Sequence, residues 1–247
     1  MHLEEILQHH GFDLSSLSLP AYQRAGKDHP IYLLQIPAMQ ALEQWEALRN
    51  LVPETGYWPV IGWNRFKQPP WEEETFQEIL GAASQVDVQA WLQQQWVEQR
   101  GEERIRREGT RKQEDEQALA PFTFRFHLRW LSGVPPLVPI ALVPTGTCWE
   151  VPAYLTAQAN DWDPPDAVHV ALMKYWNERW KAEVVSLNAG VMEMRVLQPP
   201  TTFEEAFALA KEQYVYAPDV VDQWLRGNLH TLARMLLNGH VWSFWWD

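Results

Sequence analysis

The residues best suited to acid–base chemistry lie in a long irregular stretch and in the predicted helix that follows it. Residues 149–166 include Trp149, Asn160 and Asp161, and His169 comes soon after them. Long irregular loops in compact domains often carry function. An imidazole within hydrogen-bond reach of a substrate can act as a general base. The pattern therefore marks this stretch as one side of a candidate pocket.

A second polar group, Asp219, Asp222 and Gln223, lies at the junction of two predicted helices. If the two stretches meet in the fold, Asp219 or Asp222 would orient His169 or act as a metal ligand. Carboxylates at such a junction more often cap a helix. Both interpretations stay open, and the sequence assigns no catalytic residue.

The predicted helix that carries His169 contributes an aromatic and a cationic side chain to the same candidate pocket. Trp176 and Arg179 are three residues apart, so they are neighbours on one helix face, where such a pair is most often structural. The candidate binding residues are Trp149, Asn160, Asp161, His169, Trp176, Arg179, Asp219, Asp222 and Gln223.

The common cofactor and metal motifs are missing from the sequence. It contains no glycine-rich phosphate loop, no dinucleotide fingerprint, no Gly-x-Ser-x-Gly and no His-Glu-x-x-His. The aspartates of residues 161–166 lack the glycine and the closing glutamate of a calcium loop, so the favoured interpretation is that Asp163 or Asp166 caps the following helix. Cys148 is the single cysteine, which excludes a thiolate zinc cage. We expect neither a metal nor a cofactor.

Charge and hydropathy exclude several classes of partner. The 247 residues include 20 Lys and Arg against 32 Asp and Glu, a net charge of −12. Such a surface repels phosphate, so we do not expect nucleic-acid binding. No apolar run approaches the roughly 20 residues of a membrane-spanning helix, and the N-terminus is acidic where a signal peptide is basic. We expect a cytoplasmic protein that does not bind membranes.

Hydrophobic periodicity predicts an α+β fold, an α/β sandwich in which helices cover a mixed β-sheet. The N-terminal part has a strand–helix–strand pattern, which favours a parallel pair, and it packs on a C-terminal part. We predict an N-terminal part over 1–97, a charged helix or linker over 98–120 and a C-terminal domain over 121–247. The predicted strands cover 31–36, 57–62, 122–130, 137–143, 182–187, 191–197 and 240–247.

An ordered series of short motifs in the C-terminal half resembles a bacterial family, domain of unknown function 4253. The motifs are Trp176-x-Glu178-Arg179, Arg195 to Pro200, Glu205 to Tyr214, Pro218 to Gln223 and Phe244 to Asp247. The similarity is best over residues 137–247. The resemblance implies a bacterial protein and carries over no activity, substrate or catalytic residue. Relatives commonly have cysteines where this chain has Ala217 and Asp161-Trp162, so chemistry that uses those cysteines is not available here.

Two classes of function are consistent with these observations. The favoured one is a non-catalytic protein-binding module of the adaptor or toxin-neutralising type with a basic protein partner, because the chain is acidic, has 15 tryptophans and lacks catalytic motifs. The alternative is a hydrolase or small-ligand-binding enzyme with a pocket near His169 and Asp222. The sequence leaves open which class applies and what the oligomeric state is.

Overall fold

The computed structural model describes residues 3–19, 30–62, 75–110, 120–124, 137–156, 164–188, 190–225 and 227–246, with backbone alone for 106–110. Asn160 and Asp161 lie outside the described residues. So does most of the strand predicted over 122–130, and residues 122–124 belong to no strand.

One six-stranded mixed sheet forms the centre of the molecule, with the strand order β1-β3-β2-β4-β5-β6. The β2–β4 pair is parallel and the other four pairs are antiparallel. The fold is therefore α+β, as the sequence predicts. The strands are β1 (Tyr32–Pro37), β2 (Trp58–Ile61), β3 (Leu137–Val143), β4 (Ala182–Asn188), β5 (Val191–Val196) and β6 (Val241–Trp245).

The expected parallel pairing of the two N-terminal strands is wrong. β1 and β2 run in the same direction, but β3 lies between them and is antiparallel to both. Residues Ile140 to Val143 of β3 are fully buried, and a strand that is apolar on both faces belongs in the interior of a sheet. The strands of both predicted parts of the chain thus form one sheet.

Helices pack on the sheet and on one another. Among the described residues they are α1 (Leu3–His9), α2 (Ala41–Asn50), α3 (Val52–Thr55), α4 (Phe76–Ala83), α5 (Val88–Glu98), α6 (Gly101–Thr110), α7 (Val151–Tyr154), α8 (Asp166–Trp180), α9 (Phe203–Tyr216) and α10 (Leu229–Leu236), with a π-helical turn at Val220–Trp224. The charged segment predicted over residues 98–120 contains α6. In the described part of the chain, no helix has both the length and the apolar character needed to cross a membrane.

Side-chain caps explain where several helices begin. The predicted capping box of Thr202 and Glu205 is present at the start of α9. The cap predicted for α8 differs, because Pro165 occupies the N-cap position with no side-chain hydrogen bond. Asp166 lies instead in the first turn, is buried, and accepts a hydrogen bond from the Thr156 hydroxyl at 3.2 Å.

A buried ion cluster connects α2 to the sheet. The Glu183 carboxylate on β4 pairs with Arg49 of α2 and, at 2.7 Å, with Arg195 of β5. Arg195 also reaches Glu46 at 3.3 Å. A carboxylate buried to this degree is tolerated because it is paired, and removing a partner would leave an uncompensated charge.

Candidate functional site

His169 lies in the aromatic core rather than on a pocket surface. Its side chain on α8 is fully buried, and its Nδ1 lies 2.6 Å from the Tyr216 hydroxyl oxygen. The rings of Tyr216 and Trp246 contact it edge to face, each with centroids 5.3 Å away. Burial lowers the pKa of His169 to about 3, against a smaller opposing effect of the Pro164 carbonyl. The imidazole is therefore neutral at physiological pH and has no direct contact with solvent.

Trp176 and Arg179 converge on one carboxylate, that of Glu212 in α9. The Trp176 indole N–H donates to Glu212 at 2.9 Å, the Arg179 guanidinium at 3.1 Å and the Tyr175 hydroxyl at 3.2 Å. Burial raises the pKa of Glu212, while these donors act in the opposite direction. The carboxylate is thus held by three donors from α8.

Sequence reasoning missed Glu212 because its partners lie on another helix, 33 to 37 positions earlier in the chain. No periodicity within α9 distinguishes this glutamate from Glu204 or Glu205. The contact becomes visible only once α8 and α9 are packed together.

The aspartates of the helix junction have other partners. Asp222, on the π-helical turn, forms an ion pair with Arg104 of α6. Burial raises the pKa of Asp222, and Arg104 opposes that shift. Gln223 donates to Asp219 at 3.0 Å. No hydrogen bond or ion pair joins His169 to Asp222 among the residues that the structure describes, so a catalytic pair of these two remains a prediction without a supporting contact.

Of the remaining predicted site residues, Trp149 is the one that lies within the described residues. Trp149 is half-buried in a short 3-10 turn, Cys148–Glu150, and packs against the core. Burial raises the pKa of the neighbouring Cys148 thiol to about 12, so that thiol is not a nucleophile at neutral pH. The described residues contain no group of three or more His, Cys, Asp or Glu that could hold a metal ion.

A groove of about 760 Å³ lies between α5, α6 and α9, in front of Glu212. Its apolar lining includes Leu92, Trp96, Val97 and Phe207. The charged lining consists of the carboxylates Glu102, Glu103, Glu204 and Glu212 and the cations Arg100 and Lys211.

Trp96 forms the floor of this groove and fixes α6 in place. Its indole N–H donates to Glu102 at 3.1 Å, and its ring contacts Tyr214 edge to face. Gly101 lies so close that a Cβ there would be 2.1 Å from the indole. The start of α6 therefore requires a glycine at this contact.

Arg104 provides a second attachment of α6. Its guanidinium lies 4.3 Å from the centre of the Tyr214 ring, donates to the Tyr214 hydroxyl at 2.5 Å and pairs with Asp222. One wall of the groove is thus a helix held by a tryptophan contact and a salt bridge.

Comparison with known proteins finds one family model that matches the C-terminal part of the chain. The family model described as Domain of unknown function (DUF4253) matches residues 139–247. No curated protein and no solved structure matches the chain. The matched residues include α8 and α9, whereas α5 and α6 precede them, so the groove lies between the matched region and the segment before it.

Proposed function

We propose that this chain, in which residues 139–247 form a DUF4253 domain, is a non-catalytic protein-binding module for a basic partner. The binding site is the groove between α5, α6 and α9. The observation that carries the proposal is the combination, in one groove, of an apolar floor with a rim rich in carboxylates.

The charge of the groove favours a cationic segment. Its lining has four carboxylates against two cations, and Arg179 outside the lining pairs with one of the four, Glu212, which leaves a balance of −1 within a chain whose net charge is −12. Charge complementarity of this kind accelerates encounter with a basic partner and disfavours acidic ones. A phosphate-rich ligand would be repelled at the same place.

The apolar surface of the groove supplies the contact area that charge alone does not. Phe207 is half-buried, and Val97 at the edge of the groove is 65% exposed. Aromatic side chains are enriched in protein interfaces, where a ring buries a large area at small entropic cost. We therefore place the anchor residues of the partner over Phe207 and Val97.

An enzymatic role has less support. His169 is fully buried against Tyr216, and Glu212 is occupied by three donors from α8. His169 has no exposed surface, and the Glu212 carboxylate already accepts hydrogen bonds from three side chains of α8. The same contacts suit structural roles, which rigidify the walls of a binding site.

Co-purification from the native host at low and high salt tests the proposal. Glu204→Lys reverses one charge on the groove rim, and Glu43→Lys is the matched control, because both glutamates lie in the first turn of a helix and Glu43 is an exposed residue of α2 outside the groove. We expect a basic protein to be retained at low salt by the wild type and by Glu43→Lys, and to be lost with Glu204→Lys and at high salt. Equal retention by both variants would contradict the proposal.

A further inference from the structure

Lys211 occupies an aromatic cleft at the floor of the groove. Its ammonium nitrogen lies 5.2 Å from the centre of the Trp96 ring and 5.3 Å from that of Phe207. Both distances are within the range of a cation–π interaction. The side chain comes from α9, which forms one wall of the groove.

Among the described residues, these two rings are the contacts that hold the cation. Lys211 makes no hydrogen bond and no ion pair with the part of the chain that the structure describes, although four glutamates line the same groove. A lysine has a long flexible side chain, so it can leave the cleft by rotating its own bonds without moving α9. Moving Lys211 out of the cleft would therefore break no hydrogen bond or ion pair among the described residues.

We infer that the Trp96–Phe207 cleft is the subsite for a lysine or arginine side chain of the partner, and that Lys211 occupies this subsite in the free protein. The inference rests on the proposed function and adds the chemistry of its central contact. A guanidinium or ammonium group of the partner would contact the faces of Trp96 and Phe207 that Lys211 contacts in the free protein. Lys211 then acts as an internal competitor that lowers the affinity for weakly basic segments.

The charge around the cleft distinguishes this role from that of an anion-binding lysine. A carboxylate or phosphate that approached Lys211 would enter a lining in which carboxylates outnumber cations. The faces of Trp96 and Phe207 carry the negative part of the ring quadrupole and also repel an anion. A second cation, by contrast, is attracted by both the rings and the rim once Lys211 has moved away.

Binding of a fluorescently labelled hexa-arginine amide to the full chain tests the inference. Lys211→Met removes the resident cation, and Lys174→Met is the matched control, since it removes the same charge from an exposed position of α8 that does not line the groove. We expect Lys211→Met to bind about threefold to tenfold more tightly than Lys174→Met. Phe207→Leu, which removes one ring and keeps an apolar side chain, should bind more weakly than the wild type.

The outcomes separate the two proposals. Equal or weaker binding by Lys211→Met than by Lys174→Met overturns the competitor role while leaving the groove intact. If Glu204→Lys and Glu43→Lys bind the peptide equally well, the groove itself is not the site, and the proposed function fails with the inference. Binding by neither the wild type nor Lys211→Met also overturns both.

Discussion

A single imidazole shows how the aromatic core controls the chemistry of a titratable side chain. His169 lies among Tyr216, Trp246 and the packed helix α8 with no exposed surface. The low local polarity disfavours the charged form, which is why the pKa of His169 falls to about 3. The sequence predicts His169 as a candidate general base. Because the side chain is buried, its protonation instead affects the free energy of unfolding.

The stability of the protein should therefore depend on His169 between pH 6.5 and about 3. In that window the unfolded chain binds a proton that the folded chain does not, so stability falls as pH decreases from 6.5 toward 3. The steepest contribution is about 1.4 kcal/mol per pH unit. Urea denaturation of the wild type and of His169→Phe across this range should show a shallower pH slope in the variant.

Tyr216→Phe is the control for that experiment. It removes the hydroxyl that contacts Nδ1 of His169 but keeps the imidazole buried, so the slope should remain. An identical slope for wild type and His169→Phe would show that the imidazole titrates normally in the folded protein.

The helix α6 shows how one element completes the groove. Its first residue, Gly101, packs directly on Trp96, and Arg104 connects it to Tyr214 and Asp222. The preceding residue, Arg100, has a φ of 53°, a left-handed conformation that separates α5 from α6. The position of α6 in the groove wall therefore depends on the contact between Gly101 and Trp96 and on the left-handed residue Arg100 between α5 and α6.

Gly101→Ala should displace α6. The added methyl group would overlap the Trp96 ring, and overpacking of this kind typically costs about 1–3 kcal/mol. We expect faster hydrogen exchange over residues 101–110 and weaker hexa-arginine binding. In the matched control Gly81→Ala, on an exposed position of α4 with open space at the Cβ, the same substitution should stabilise the protein by about 0.5–1 kcal/mol. Unchanged exchange in Gly101→Ala would contradict the described packing of α6.

Features within one helix or strand were predictable from the sequence, whereas contacts between residues far apart in the sequence were not. The capping box at Thr202 follows from spacing alone, because all its atoms belong to four consecutive residues. The insertion of β3 between β1 and β2 depends on pairing between residues about 80 to 110 positions apart, as in Trp58 with Val143 and Tyr32 with Leu142. The hydrogen bonds from Trp176 and Arg179 to Glu212 likewise join residues that are distant in the sequence.

The whole molecule depends on a sheet that both parts of the chain build. β1 and β2 come from residues 32–61, and they flank β3, which lies largely within the DUF4253 match. Arg49 of α2 also neutralises the buried Glu183 of β4. The matched residues thus have two strand edges and a buried charge that the N-terminal residues satisfy.

A fragment of residues 139–247 should consequently fail to fold by itself. Without β1 and β2 the β3 strand has no neighbours on either side, and Glu183 loses one of its two arginine partners. We expect poor chemical-shift dispersion in its NMR spectrum and no cooperative thermal transition. A well-dispersed spectrum and a sharp transition from the fragment would contradict the shared-sheet account.

The measurement that tests the central claim most directly is a fluorescence anisotropy titration of the full chain with labelled hexa-arginine amide, using a steric block. Ala208 lines the groove and is exposed, and Ala208→Gln fills space there without changing charge. Ala47→Gln makes the same substitution at an exposed position of α2 outside the groove. We predict that Ala208→Gln weakens binding at least about tenfold, roughly 1.4 kcal/mol, whereas Ala47→Gln binds like the wild type. Equal affinities for the two variants would show that the peptide binds elsewhere and that the groove is not the binding site.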